Sequence, residues 1–261
     1  MNVKEILSEV SSGNLSIREA EKLLKMNSVR EIEGIAKIDT GRISRRGIPE
    51  IILAEGKLPK HVAKIAIGML RDSEKVLISR MESKHEEAVR RAVPKGTRVR
   101  KNDLARMLVL SKAGSRKSHR DHKLGKGGVA VITAGTADIP IAEEAKVVLE
   151  ETDCRVITSY DVGVAGIHRL FRSMRSIVEE DVDVIIAVAG REGAMPSIIA
   201  GLVDVPVIGV PTSFGYGYGE KGVAALMSML QACSLGITTV NIDSGVAAGV
   251  VAALIVKRLS R

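Results

Sequence analysis

The sequence predicts an α/β protein: a parallel sheet covered on both faces in the second half, behind a smaller, basic α+β half. Three observations carry this. Apolar runs at Val129–Ala134, Val182–Ala189 and Val207–Val210 are nearly continuous, as strands buried on both faces require. Helical stretches alternate with them, the pattern of repeated βα units. The halves also differ in charge. Residues 1–126 hold 29 Lys and Arg against 16 Asp and Glu, a net of +13, whereas residues 127–261 carry a net of −5. We therefore place one domain at 1–126 and a second at 127–261. The basic stretch Lys112–Gly127, bracketed by glycines, reads as the linker or surface loop between them.

The first half opens with Val3, Ile6, Leu7 and Val10 at helical spacing, broken by Gly13. Ser16 followed by Glu19 reads as a capping box for a second helix, with Ala20, Leu23 and Leu24 on its apolar face. Ile35–Asp39 alternates like a strand, and residues 40–50, with Arg42, Arg45 and Arg46, form a loop. Ile51–Leu53, Val76–Ser79 and Leu108–Leu110 read as strands, and Pro59–Met69 and Glu82–Ala92 as helices.

In the second half the strands are Val129–Ala134, Cys154–Ser159, Val182–Ala189, Val207–Val210 and Thr238–Ile242. The helices are Ala142–Glu151, Ile167–Glu179, Met195–Val203, Val223–Cys233 and Gly245–Arg258. Ligands of such sheets sit at the carboxyl ends of the strands, where glycine-rich turns feed helix N-termini. The turns at Gly135-Thr136-Ala137-Asp138 and Gly190-Arg191-Glu192-Gly193 occupy that place. Gly135, Thr136, Gly190 and Gly193 let backbone amides approach phosphate oxygens. Asp138 either holds a ribose hydroxyl or a metal, or caps the following helix. Ser213–Gly219 alternates glycine with aromatics, so Tyr216 either stacks on a ring or lies on an exposed loop.

Composition excludes several classes. The 261 residues are 45% apolar and 27% charged, against wholesale disorder. Two cysteines build no disulfide framework, so a reducing, cytoplasmic compartment is the expectation. Apolar runs stop well short of 18 residues, so no membrane span is expected, and Met1–Ser12 does not read as a signal peptide. No aromatic interleaves with the basic linker, which argues against nucleic acid as a partner.

The blocks TAGTADIPIAEEA, VAGREGAMPSIIAGL, DVPVIGVPTSFGYG and MLQACSLGITTVNIDSGVAAG make residues 127–250 similar to the three-layer aminoimidazole ribonucleotide carboxylase/mutase fold of purine synthesis. With DTGRISRRGIPEIILAEGK in the first half, the whole chain resembles the LarB family, which begins nickel-pincer cofactor synthesis. The Ser-Ala-His-Arg catalytic segment of the purine enzymes is absent, and residues 159–169 read SYDVGVAGIHR instead. The LarB resemblance implies nicotinic acid adenine dinucleotide and CO2 or bicarbonate as substrates. The pyridinium ring is carboxylated and the phosphoanhydride hydrolysed to AMP, with a divalent metal, Mg, assisting.

That chemistry gives the residues roles. An electron-poor pyridinium attacks CO2 only after a nucleophile has added to it, and a thiolate both adds and leaves well. Cys233 lies in a matched block and is the candidate, while Cys154 reads as a core residue. Glu192 is the candidate base for the hydrolytic water or a ligand to Mg, and otherwise a solvated turn carboxylate. His168 either shuttles the ring proton or packs in its helix. Asp39, Arg42, Arg45 and Arg46 are candidates to grip phosphate and carboxylate oxygens. The mutase resemblance also implies a homo-octamer, to which the apolar helix at Val246–Val256 could contribute. Two other readings stand beside this one: an N5-carboxyaminoimidazole ribonucleotide mutase, and a non-enzymatic nucleotide- or RNA-binding protein.

Overall fold

The computed structural model describes residues 3–26, 29–32, 34–39, 47–115 and 127–259. Arg42, Arg45, Arg46 and residues 116–126 of the basic linker lie outside them. The chain divides into two compact units, one of residues 1–101 and 108–115, the other of residues 102–107 and 116–261.

The first unit starts with helices α1 (Val3–Ser11) and α2 (Ile17–Met26). Gly13 separates them in the left-handed region, and the capping box closes as expected, with Ser16 Oγ accepting from the Glu19 amide and Glu19 from the Ser16 amide. Strand β1 (Val29–Ile32) pairs antiparallel with β2 (Ala36–Asp39). A four-stranded sheet follows, made of β3 (Ile51–Leu53), β4 (Lys75–Ser79), β5 (Arg98–Asn102) and β6 (Met107–Ser111) in the order β3-β4-β6-β5. Helices α3 (Pro59–Asp72) and α4 (Ser83–Ala92) accompany it. The core gathers Val62, Ala66, Met69, Ile78, Val89 and Leu108. His85 is buried at the start of α4, where its Nδ1 accepts from the Glu82 amide and its Nε2 bonds Lys57 O at 2.9 Å.

The second unit is α/β, with five parallel strands: β7 (Gly128–Thr133), β8 (Arg155–Ser159), β9 (Val184–Ala189), β10 (Val207–Pro211) and β11 (Ile237–Thr239). Their order is β11-β10-β9-β7-β8. The helices are α5 (Ile139–Glu151), α6 (Ile167–Glu179), α7 (Met195–Ala200), α8 (Val223–Leu230) and α9 (Gly245–Leu259). Alternate residues of each strand point to opposite faces. Ala130, Ile132, Ile185 and Ala187 pack with Leu170 and Met174 of α6, Ile199 of α7 and Met229 of α8. The other face carries α5 and α9. There a Cβ at Gly245 would strike Ile141 O, and one at Gly249 would stand 2.8 Å from Ala145 O, so the two helix backbones lie against each other.

Two helices are shorter than the sequence predicts. The α7 helix stops at Ala200 because Gly201 caps it, and α8 stops at Leu230, leaving Cys233 in the connection to β11. Conversely α5 begins at Ile139, three residues early, with Pro140 in its first turn.

Candidate functional site

The chain order of the strands creates a fissure. The connection from β7 crosses one face of the sheet to β8, whereas those from β8, β9 and β10 cross the other. The turns leaving the neighbouring strands β7 and β9 therefore diverge, and a crevice opens at their carboxyl ends. Gly135, Thr136 and Asp138 lie on one side of this point, and Gly190, Arg191, Glu192 and Gly193 on the other.

Asp138 is the hub. It is 4% exposed, and its Oδ2 accepts from the Gly135 amide at 2.8 Å while its Oδ1 accepts from Thr212 Oγ at 2.6 Å. It makes no cap bond to α5, so the capping alternative does not hold. Burial raises its carboxyl above the ordinary aspartate range, against the opposing bonds from Thr212, Gly135 and Gly190, and nearby Asp243 adds to the rise. Asp243 in turn accepts from the Ser213 amide at 2.8 Å. The turns after β7, β10 and β11 are thus tied together by two carboxylates.

The β9 turn fits closely beneath this network. A Cβ at Gly190 would strike Phe214 O and stand 2.7 Å from Thr212 Oγ. Gly193, at φ +63°, would meet Ala225 O at 2.7 Å. Glycine is required at both places by close approach, and at Gly193 also by its dihedral angle. Between them Arg191 is itself left-handed, at φ +52°, and projects outward beside the exposed Glu192. Its guanidinium lies 4.2 Å from the centroid of the Tyr216 ring.

The turn after β8 carries the segment 159–169. Tyr160 turns to α5, where its hydroxyl donates to Glu143 at 2.7 Å, and burial with this bond pushes the phenol well above its ordinary value. Burial alone would raise Glu143, but the hydrogen bonds it accepts, led by that of Tyr160, leave it below its ordinary value. Asp161 N–H donates to Thr133 Oγ, and Arg169 donates to the Asp161 carbonyl and carboxylate. His168 is exposed at the start of α6.

Gly135, Thr136, Asp138, Gly190, Glu192, Gly193 and Tyr216 therefore gather at the carboxyl edge, as the sequence predicts. Cys233 does not join them. It is exposed on the connection that enters β11 at its amino end, and its neighbour Ser234 bonds Ser197 O of α7. Cys154 is buried, and burial raises its thiol. Asp39 ends β2 in the other unit. Thr212, Ser213, Asp243 and Arg191 belong to the site without having been singled out. A polar pair directly after the apolar run Val207–Pro211 was the available signal for the first two. Among the described residues, no three His, Cys, Asp or Glu side chains gather to hold a metal. Both Asp138 oxygens accept from protein donors, whereas Glu192 is exposed at this edge with an oxygen donor of the kind Mg takes.

Residues 128–260 match the AIR carboxylase family, and residues 29–112 match the LarB/PurE-like N-terminal domain. The chain belongs to the AIR carboxylase family and carries a LarB/PurE-like domain in its N-terminal part. An uncharacterized protein of Methanocaldococcus jannaschii is 42% identical over 258 residues, covering 98% of this chain and 97% of that relative. The AIR carboxylase domain is also similar to the N5-carboxyaminoimidazole ribonucleotide mutases of Pyrococcus abyssi and Thermotoga maritima. These are 32% and 30% identical over 126 and 132 residues, spanning 46% and 49% of this chain and 68% and 73% of the mutases. The AIR carboxylase match and the mutase relatives support an enzyme of the carboxylase/mutase type. No helix among the described residues is long and apolar enough to cross a membrane.

Proposed function

We propose that the protein carboxylates the pyridinium ring of nicotinic acid adenine dinucleotide and hydrolyses its phosphoanhydride, giving pyridinium-3,5-biscarboxylic acid mononucleotide and AMP. The observation that carries this reading is the union in one chain of a LarB/PurE-like N-terminal domain with an AIR carboxylase domain. The mutases named above make the purine reaction the nearest competitor. The segment SYDVGVAGIHR disfavours it, since Tyr160 is committed to Glu143 and Arg169 to Asp161.

In this reading the Cys233 thiolate adds to the ring and turns it into an enamine. The enamine carbon bonds CO2, the ring proton leaves to a base such as His168, and the thiolate departs to restore aromaticity. The Gly135 and Gly190 amides are taken by Asp138, so phosphate oxygens are received by the later amides of those two turns. Glu192 orients the water that splits the anhydride. Mg, where bound, would be held by Glu192 with the substrate phosphates, and supplies charge neutralisation there.

Because Cys233 lies on a connection entering the sheet, the reading takes the thiol from a second copy of the chain. Val223, Met227, Leu230 and Leu235, around Cys233 in sequence, are exposed apolar side chains that such a copy would cover.

The test is an incubation with nicotinic acid adenine dinucleotide, bicarbonate and Mg, followed by mass spectrometry. We expect AMP and a mononucleotide heavier by one CO2 from the unmodified chain, with carboxylation lost in Cys233→Ala. Co-expressed Cys233→Ala and Glu192→Gln chains should regain activity in mixed assemblies. AMP without carboxylation would refute the proposed reaction, and no recovery in mixed assemblies would refute the shared thiol.

A further inference from the structure

The loop after β10 has a feature that the carboxylation chemistry does not use. Tyr216 stands 83% exposed at the tip of Ser213–Gly219, yet one face of its ring is already taken by Arg191. This pair is anchored from below. The Arg191 turn is closed by the Gly193 amide donating to Gly190 O at 2.9 Å. Its two glycines have no room for side chains against Phe214, Thr212 and Ala225. The loop is fitted onto the turn as well: a Cβ at Gly215 would lie 3.8 Å from Arg191 N, and one at Gly219 3.8 Å from Arg191 O. An exposed tyrosine is thus presented on a closely fitted base, with a cation over one face of its ring.

The charge decides what its open face can take. A pyridinium ring is cationic, and stacking it on Tyr216 would set it across one ring thickness from the guanidinium, where like charges repel. A neutral purine meets no such opposition, and base stacking on an aromatic side chain is favourable for any uncharged π-face. The guanidinium edge remains free to donate to a phosphate attached to that base. We infer that Arg191 and Tyr216 form the seat of the neutral, adenine-bearing half of the substrate, the nucleotide that leaves, and that they set specificity for it. The pyridine ring then occupies the other end of the crevice, beside the β7 turn. This rests on the dinucleotide reading above and deepens it.

The experiment uses the full chain and calorimetric titration with three probes: AMP, adenosine and nicotinic acid mononucleotide. Tyr216→Ala should weaken AMP at least about five-fold, and Tyr216→Phe should restore it to within about two-fold. Arg191→Gln should close the gap between AMP and adenosine, because only the phosphate is lost. Affinity for nicotinic acid mononucleotide should stay within about two-fold in the Tyr216 variants, since that ring stacks elsewhere. The inference is overturned if Tyr216→Ala leaves AMP unchanged, if it weakens nicotinic acid mononucleotide as much as AMP, or if the unmodified chain binds no AMP. AMP held through Tyr216 with no binding of nicotinic acid mononucleotide would leave this seat standing and count against the carboxylation reading instead.

Discussion

Replacing Thr212 by Val tests the carboxylate network directly. Thr212 is fully buried, and its hydroxyl donates to Asp138 Oδ1 at 2.6 Å. Valine keeps the shape but puts a methyl group where the donor stood, so a buried carboxylate oxygen loses its partner. A hydrogen bond to a charged group contributes about 1.5–3 kcal/mol, against about 0.5–1.5 kcal/mol for a neutral one. At about 2–4 °C per kcal/mol for a domain of this size, the charged case is a fall of roughly 3–12 °C in melting temperature. The pH dependence has a definite sign. Burial raises Asp138 above its reference of 3.8, so the folded state holds the proton longer than the unfolded state. The stability linked to this group is full below 3.8 and is lost as pH climbs through the raised value. Since Thr212 opposes that rise, Thr212→Val moves the folded value further up and widens the window. Its penalty should therefore be larger at pH 8 than at pH 4, and Thr212→Ser should recover most of it. Thermal melts across that range are the assay. A penalty that is equal at both ends, or absent, would refute the assignment of Asp138 as a buried carboxylate held by Thr212.

Two further substitutions test the scaffold. Gly190→Ala should destabilise the second unit by about 1–3 kcal/mol, because its Cβ has Phe214 O and Thr212 Oγ in its way; an unchanged urea midpoint would mean that the turn can move aside. His85→Ala should cost about 1–3 kcal/mol by removing a buried ring and the capping contact at Glu82, and amide exchange in α4 that stays as slow as before would show that this histidine does not hold the helix start.

The second unit was legible because burial on both faces leaves a strand nothing but apolar residues to show. Val184–Ala189 could be bounded to within two residues for that reason. Strands β1 and β5 escaped the sequence reading. Val29–Ile32 carries Arg30 and Glu31, and Arg98–Asn102 holds three cations in five residues. Such strands are recognised by their partners rather than by their own polarity. The same divide runs through the site. Gly135, Asp138 and Gly190 lie directly after strands, and a turn of small residues there is informative in itself. Thr212 reaches Asp138 across 74 positions of sequence, and Asp243 reaches Ser213 across 30. No local pattern encodes such pairings. Cys233 could be named from the chemistry that the resemblance implies, but its connection leads into β11 and leaves it exposed away from the glycine turns.

The close seating of α9 on α5 bears on how the polypeptide matures. Strands β7 to β11 all precede α9 in the chain. During synthesis, one face of the sheet, with Val129, Val131, Val184 and Ile186, therefore lacks half of its cover until the helix beginning at Gly245 has been made. Gly245 and Gly249 leave no tolerance for a substitute side chain against Ile141 and Ala145. A variant that bulks either glycine would prolong the life of a sticky nascent sheet, and its first symptom in a cell would be lost yield rather than lost turnover.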